Sequence, residues 1–287
     1  MKPSKILILF LAALHSISAI AALPVGKTIR FRKLGNQTIA IPVLLNGRGP
    51  FQFVLDTGTD SSIMDARLAN EVGLERGDQV TLFTVAGQKN VSRAYVQTVT
   101  VGAAVGTNLE VLTMNLDSAF PDRNVRGVLG QNFLRTFDVF LDNGAGTVTL
   151  LSPGDPVPVN GVAIPITFEH DRPAVVWKFA AQREIRLLLD SGSSSLTFFR
   201  DDIPNFHRCI FDACRQAITT TVSAVNVFSG VLSSFVIGNV CLHNIPALYS
   251  TQSPPGDRID GMLPTGIFHS VYINNHQGFA IFCGSAP

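Results

Sequence analysis

The chain has 287 residues, of which 46% are hydrophobic and 15% are charged, and its formal net charge is +1 at pH 7. This composition supports a sizeable core and excludes a disordered chain. A nearly neutral chain offers no basic surface to nucleic acid, so we expect no nucleic-acid partner. The 24 glycines and 16 prolines indicate many turns, as in a strand-rich protein.

The N-terminus has the pattern of a secretory signal. Two lysines precede the apolar stretch 6–14, which is too short to span a bilayer, and small residues follow it. We predict a signal peptide over residues 1–22, cleaved near Ala21 or Ala22, and hence a secreted or periplasmic protein. The mature form is then not expected to span a membrane. The alternative is that this segment is retained as a membrane anchor.

Periodicity and turn residues predict a strand-rich chain with few helices. In the first half, strands are predicted at residues 39–45, 51–55, 80–85, 95–101, 109–114, 137–141 and 147–151, with a helix over 62–72 and a helical turn at 131–136. Residues 153–160 are rich in proline and are predicted to be a linker. In the second half, strands are predicted at residues 174–179, 185–189, 271–274 and 279–282.

One motif occurs twice. Residues 53–59 are three apolar residues followed by Asp-Thr-Gly-Thr. Residues 187–193, which lie 134 positions later, are three apolar residues followed by Asp-Ser-Gly-Ser. A glycine-hydrophobic-leucine segment follows each motif, at 127–129 and at 261–263, with the same offset. The repeat predicts two homologous lobes, over residues 23–152 and 161–287.

The two repeated aspartates, Asp56 and Asp190, are the candidate catalytic residues. If the repeat brings them together, both cannot ionise readily, and the pair holds one proton. One carboxylate could then deprotonate a water while the other carboxyl group protonates a carbonyl oxygen. Such a pair would hydrolyse an amide with no covalent intermediate, and we expect no metal and no cofactor.

The paired motifs, each with its downstream glycine-x-leucine segment, resemble those of aspartic proteases, the family in which two aspartates sharing one proton are best known. The run at 128–134 is similar to bacterial retropepsin-like proteins, and the tandem arrangement is similar to pepsin. The resemblance implies a mostly β fold with two homologous β-rich lobes and a few short helices. It also implies supporting roles around the catalytic pair: interlocking hydroxyl groups on Thr57 and Ser191, hydroxyl contacts to the outer carboxylate oxygens from Thr59 and Ser193, and backbone donors at Gly58 and Gly192.

The hairpin that covers the substrate in this family, the flap, is less clearly marked. The segment 85–88 is the candidate tip, with Ala86 and Gly87 as candidate substrate-binding residues and Tyr95 as the candidate flap aromatic. In the second half, the polar region 220–226 is either a second flap or an ordinary loop. The chain departs from the family pattern at Pro264, which stands where the first half has Gly130.

All four cysteines lie in the second half. An even number in an exported chain is compatible with disulfides. Cys209 and Cys214 are close enough in sequence to close a short loop, which leaves Cys241–Cys283 as the simplest second bridge. The alternatives are four reduced thiols or, less in keeping with the scattered histidines, a zinc site.

The sequence therefore predicts a single-chain aspartic endopeptidase that acts as a monomer on extended peptide or protein substrates. The alternatives are a catalytically silent peptide- or protein-binding protein on the same scaffold, and a structural protein in which the Asp loops only hold the lobes together.

Overall fold

The computed structural model describes residues 27–35, 37–84, 87–120, 122–179, 183–199, 214–219, 224–250, 256 and 258–286. The predicted signal peptide, Ala86 and Cys209 lie outside these residues. The described chain is mostly β, as predicted. Its helical segments are α1 (Ala66–Glu71), α2 (Gln131–Leu134) and a 3-10 turn at Thr265–Ile267. Among the described residues, no helix is long and apolar enough to cross a membrane.

All eight strands of the smaller sheet come from the first half of the chain. Its strands are β2 (Arg32–Leu34), β3 (Thr38–Leu45), β4 (Arg48–Leu55), β5 (Ser62–Asp65), β6 (Gln79–Thr84), β7 (Gly87–Val101), β8 (Ala104–Met114) and β9 (Val125–Leu129). They are arranged in the order β2-β3-β4-β9-β5-β8-β7-β6. Most neighbours are antiparallel, but β4 runs parallel to β9, and β5 runs parallel to β8.

The remaining strands form a thirteen-stranded sheet. They are β1 (Thr28–Arg30), β10 (Asp138–Asp142), β11 (Thr147–Leu151), β12 (Ile164–Glu169), β13 (Arg172–Phe179), β14 (Arg183–Asp190), β15 (Leu196–Phe199), β16 (Cys214–Thr219), β17 (Ala224–Ile237), β18 (Val240–Ser250), β19 (Gly261–Pro264), β20 (Phe268–Asn274) and β21 (Phe279–Ser285). Their order is β1-β11-β10-β20-β21-β12-β13-β14-β19-β15-β18-β17-β16.

The two sheets share one strand order over seven strands. The run β3-β4-β9-β5-β8-β7-β6 in the smaller sheet corresponds to β13-β14-β19-β15-β18-β17-β16 in the larger one. The parallel pairs also correspond, since β14 runs parallel to β19 and β15 runs parallel to β18. The two Asp motifs therefore lie at equivalent places, directly after β4 and at the end of β14.

The larger sheet also joins the two halves of the chain. Strand β10 of the first half pairs with β20 of the second, so that Val139 lies opposite Ile273 and Leu141 lies opposite Val271. All four of these side chains are fully buried, and they belong to one hydrophobic cluster that runs through both halves. This shared sheet fixes the two halves relative to each other and so positions the two motifs.

The glycines of the two glycine-x-leucine segments allow neighbouring strands to pack closely. A Cβ atom on Gly127 would lie 2.2 Å from the ring of Phe53, which is buried in β4. A Cβ atom on Gly261 would lie 2.3 Å from the carbonyl oxygen of Thr197 in β15. A side chain at either position would push apart the strands that carry the Asp motifs.

The helix predicted over 62–72 is wrong in its first four residues. Residues Ser62–Asp65 form β5, in which every residue is buried and which pairs with both β8 and β9. Burial between two strands outweighs the helical spacing of the sequence. The helix begins only at Ala66, where the Asp65 carboxylate caps it by accepting a hydrogen bond from the Arg67 N–H at 3.0 Å.

The predicted Cys241–Cys283 disulfide is wrong, because both cysteines are free. Cys241 lies in β18, and its Sγ is 3.4 Å from Nε2 of His243. Cys283 lies in β21, which is not a hydrogen-bonded neighbour of β18, and its Sγ contacts the carbonyl oxygen of Asn160 at 3.6 Å. The two thiols thus face different neighbours. The Cys209–Cys214 pairing stays a prediction, since Cys209 lies outside the described residues.

Candidate active site

Each Asp motif follows a buried strand that leads into a tight loop. Leu55 precedes Asp56, Leu189 precedes Asp190, and both leucines are fully buried. The Asp56 N–H donates to the Leu129 carbonyl at 3.0 Å, which ties the start of the first loop to β9. The strands therefore deliver both carboxyl groups to the same region between the sheets.

The two loops are clamped to each other by reciprocal hydrogen bonds. Thr57 Oγ1 donates to the Leu189 carbonyl at 2.7 Å, and Ser191 Oγ donates to the Leu55 carbonyl at 2.8 Å. The same hydroxyl oxygens accept from the backbone: Ser191 Oγ from the Thr57 N–H at 3.0 Å, and Thr57 Oγ1 from the Ser191 N–H at 3.1 Å. Both side chains are buried, so the interlocking predicted for Thr57 and Ser191 is present in the structure.

The clamp brings each carboxyl group against the glycine of the opposite loop. A Cβ atom on Gly58 would lie 2.5 Å from Cγ of Asp190, and one on Gly192 would lie 2.5 Å from Cγ of Asp56. Both glycines also donate as predicted, since the Gly58 N–H binds Asp56 Oδ1 and the Gly192 N–H binds Asp190 Oδ1, each at 2.8 Å. Only glycine fits at these two positions without displacing a carboxyl group.

The two carboxyl groups share a hydrogen bond and titrate as a pair. Burial raises the pKa of Asp56 well above its usual value, and the negative charge of Asp190 raises it further. Burial also raises the pKa of Asp190, but the backbone N–H donors of Gly192 and Ser193, the hydrogen bond with Asp56 and then the Arg172 guanidinium oppose the rise. As whole residues, Asp190 is 7% exposed and Asp56 is half-buried. The arrangement favours one shared proton over two charges.

The outer hydroxyl groups do not have the contacts predicted for them. Thr59 Oγ1 donates to the Ser61 carbonyl at 3.3 Å, and Ser193 Oγ donates to the Ser195 carbonyl at 3.0 Å. A hydroxyl group has one proton to donate, so neither donates to a carboxylate. In the second loop it is the backbone N–H of Ser193 that binds the carboxylate, at 2.8 Å from Asp190 Oδ1. The two side chains therefore brace their own loops.

Sequence reasoning missed two residues that support the loops. Gln131, buried at the start of α2, donates from Nε2 to the Thr57 carbonyl at 2.9 Å. Thr38, at the start of β3, donates from Oγ1 to the Gly192 carbonyl at 3.2 Å, which joins the first half to the second loop. The signal for Gln131 was present in the family-like run at 128–134, whereas nothing local in the sequence singles out Thr38.

The predicted flap is a hairpin of β6 and β7 in which Thr84 lies opposite Gly87. Gly87 has a φ of +120°, a left-handed conformation that favours glycine in this turn. Tyr95 lies outside this hairpin, where β7 pairs with β8, and its hydroxyl donates to Glu110 at 3.1 Å. Its prediction as the flap aromatic is therefore wrong. The exposed aromatic side chain next to the tip is Phe83, 56% of which is accessible to solvent.

The second half has a hairpin at the equivalent place. Strands β16 and β17 pair from Cys214 opposite Ser229 to Thr219 opposite Ala224. They occupy the position in the larger sheet that β6 and β7 occupy in the smaller one. Of the polar region 220–226, residues 224–226 belong to β17, and 220–223 lie outside the described residues. Its role as a second flap stays a prediction.

Comparison with known proteins relates part of this chain to aspartic proteases. Residues 41–136 match the family model described as "gag-polyprotein putative aspartyl protease". This region contains the first Asp loop and the run 128–134, whereas the second loop lies outside it. Among solved structures, the chain is similar to a retropepsin-like aspartic protease from Rickettsia conorii, with a TM-score of 0.31 and 15% identity, over 43% of this chain and 87% of that one. A comparison with curated proteins gives no match. Over residues 41–136, the chain is thus similar to the gag-polyprotein aspartyl proteases.

Proposed function

We propose that the protein is an aspartic endopeptidase in which Asp56 and Asp190 activate a water molecule for the hydrolysis of peptide bonds. The observation that carries this proposal is the reciprocal clamp between Thr57 and Ser191, which presses each carboxyl group against the glycine of the opposite loop. A structural role alone would not need two buried carboxyl groups in contact, because such a pair is costly to bury.

The reaction follows from a pair that holds one proton. The carboxylate accepts a proton from water as the water oxygen attacks the carbonyl carbon, and the carboxylic acid donates its proton to the carbonyl oxygen. At this stage the pair again holds one proton. The tetrahedral intermediate then returns a hydroxyl proton to the ionised carboxyl group as its C–N bond breaks, and the leaving amine takes up the proton of the other carboxyl group. The products are a carboxylic acid and an amine, and the pair is left with one proton. The raised pKa values of both carboxyl groups support this scheme, because they keep one proton on the pair at a pH where an ordinary aspartate is ionised.

The repeated strand order supports a substrate site between two lobes, which we propose to span residues 23–152 and 161–287 with a linker at 153–160. An extended peptide would cross the pair, with its backbone hydrogen-bonded along its length and alternate side chains in pockets. The β6–β7 hairpin, with Gly87 at its turn, would cover the substrate. Because both carboxyl groups come from one chain, we expect the monomer to be active. The signal pattern over residues 1–22 supports a secreted or periplasmic enzyme.

A peptide-library digest at several pH values tests this function. We expect cleavage by the wild type, inhibition by a compound that mimics the tetrahedral intermediate, and no cleavage by Asp190→Asn. As a matched control, Asp78→Asn removes an exposed carboxyl group outside the site and should cleave as the wild type does. Absence of cleavage by the wild type together with inhibitor binding would favour a silent binding protein, and absence of both would favour a structural role. Full activity in purified Asp190→Asn would refute the proposal.

A further inference from the structure

We infer that Arg172 is a positioning residue that keeps Asp190 as the carboxylate of the pair and leaves the shared proton on Asp56. This inference rests on the proposed function and assigns a role to each carboxyl group within it. The repeat alone would make the two aspartates interchangeable. The surroundings of the pair are not symmetric, however, and the difference lies in the strands next to the two loops.

Strand register places a different residue opposite each aspartate. In β3 and β4, Ala40 lies opposite Val54, and continuing this register by two residues places Thr38 opposite Asp56. In β13 and β14, Ala174 lies opposite Leu188, and the same step places Arg172 opposite Asp190. Side chains that lie opposite each other on neighbouring strands share one face of the sheet. A neutral hydroxyl group therefore stands beside one carboxyl group and a cation beside the other.

The backbone donors favour charge on the same carboxyl group. Asp190 Oδ1 accepts two N–H groups at 2.8 Å, from Gly192 and Ser193. Asp56 Oδ1 accepts one at 2.8 Å, from Gly58, and the Thr59 N–H adds a weaker contact. Hydrogen bonds to the ionised form stabilise that form. The backbone donors and the cation thus both favour the ionised form of Asp190, whereas the deeper burial of this residue opposes ionisation.

The charged groups that face the pair within the described part of the chain are few. Asp190 is faced by Asp56 from the loop after β4, whose hydrogen bond lowers the pKa that burial has raised, and by Arg172 from β13, whose positive charge lowers it further. The strongest influences on the pKa of Asp56 are burial, Asp190 and its own loop, and no cation of the described residues is among them. A single cation near one member of a coupled pair stabilises the state in which that member carries the charge.

The acidic side chains in the turn before Arg172 are engaged with other groups. The Glu169 carboxylate accepts from the Arg258 N–H at 3.2 Å and lies 3.8 Å from Nδ1 of His170. Asp171 forms an ion pair with Arg135. Arg172 itself donates from Nε to the carbonyl oxygen of Glu169 at 3.1 Å, which is an uncharged acceptor.

This charge distribution gives each carboxyl group a different role in the proposed reaction. The Asp190 carboxylate is the base that accepts a proton from water, and Asp56 is the acid that donates its proton to the substrate carbonyl oxygen. Without the cation, Asp190 would ionise only at a higher pH. The acidic limb of the pH profile would therefore move to higher pH.

The test compares Arg172→Gln and Arg172→Lys with the wild type in two measurements. The first is the pH profile of kcat/KM on a peptide found in the library digest. In Arg172→Gln we expect the acidic limb to move to higher pH, where each unit of displacement costs about tenfold in kcat/KM on that limb. We expect Arg172→Lys to keep most of the wild-type position. The control Arg48→Gln removes an exposed arginine at the far end of β4 and should leave the limb unchanged.

The second measurement does not need activity. Carboxyl ¹³C NMR of protein labelled at aspartate, assigned with Asp56→Asn and Asp190→Asn, follows the ionisation of each group directly. We expect Asp190 to ionise first in the wild type and to ionise at higher pH in Arg172→Gln. An unmoved Asp190 titration in a folded Arg172→Gln variant, or a wild type in which Asp56 ionises first, would overturn the inference. If the wild type cleaves no peptide, the proposed enzyme function fails, and the NMR titration still decides the role of Arg172.

Discussion

The replacement Thr57→Val tests whether the clamp between the loops holds the site together. Valine keeps the size and β-branched shape of threonine but removes the hydroxyl group. The Leu189 carbonyl then loses a donor at 2.7 Å, and the Ser191 N–H loses an acceptor at 3.1 Å, both in a buried region. A buried polar group without a partner costs about 1–3 kcal/mol, so the two together should lower the free energy of unfolding by roughly 2–6 kcal/mol.

Chemical denaturation at one pH measures this difference, and a thermal scan should show a fall in midpoint of at least about 4 °C. The matched control is Thr59→Val, because the Thr59 hydroxyl makes one longer bond, at 3.3 Å, within its own partly exposed loop. Its unfolding free energy should stay within about 0.5 kcal/mol of the wild type. A Thr57→Val variant as stable as Thr59→Val would show that the clamp contributes no net stability.

Two further predictions concern the carboxyl pair. Because the folded state raises the pKa values of both aspartates, their contribution to stability is fully present below about pH 3.9, the ordinary aspartate value, and is lost as pH rises through the raised values. At higher pH, the negative charge on the buried pair destabilises the folded state. Asp56→Asn removes one of the two groups that can carry this charge, so it should raise the thermal midpoint at pH 7 but not at pH 3. An equal shift at both pH values would contradict the coupling. Gly58→Ala places a methyl group 2.5 Å from Cγ of Asp190 and should lower kcat/KM about 100-fold or more through displacement of the carboxyl group, whereas wild-type kinetics in that variant would show that the contact is not tight.

The sequence predicted those parts of the site that depend on local pattern. An apolar run followed by Asp, a small hydroxyl residue and Gly specifies a buried strand and a tight loop, so Asp56, Asp190 and the two glycines could be assigned from the motif. The repeat then indicated that the two loops meet. The reciprocal bonds of Thr57 and Ser191 followed from the family resemblance, because the pattern alone does not say which carbonyl oxygen each hydroxyl group reaches.

The errors arose where the outcome depends on contacts distant in sequence. Residues 62–65 have helical spacing but lie between two strands, and pairing outweighs local propensity. Tyr95 is near the flap in sequence, yet the long strand β7 carries it away from the hairpin to Glu110. Ser193 donates its backbone N–H to the carboxylate, while its hydroxyl group donates within the loop. The sequence does not indicate which of these two donors reaches the carboxylate. The pairing of β10 with β20 joins segments that are distant in sequence, and no short sequence pattern predicts it.

The most direct test of the central claim is the pH profile of peptide hydrolysis by the wild type, Asp56→Asn and Asp190→Asn, measured on folded protein with the same substrate. We predict a bell-shaped wild-type profile, as expected for a pair that works with one proton, and a loss of activity in both variants. Wild-type rates in either variant, or a wild-type profile in which the ionisation of only one group governs the rate, would contradict the account.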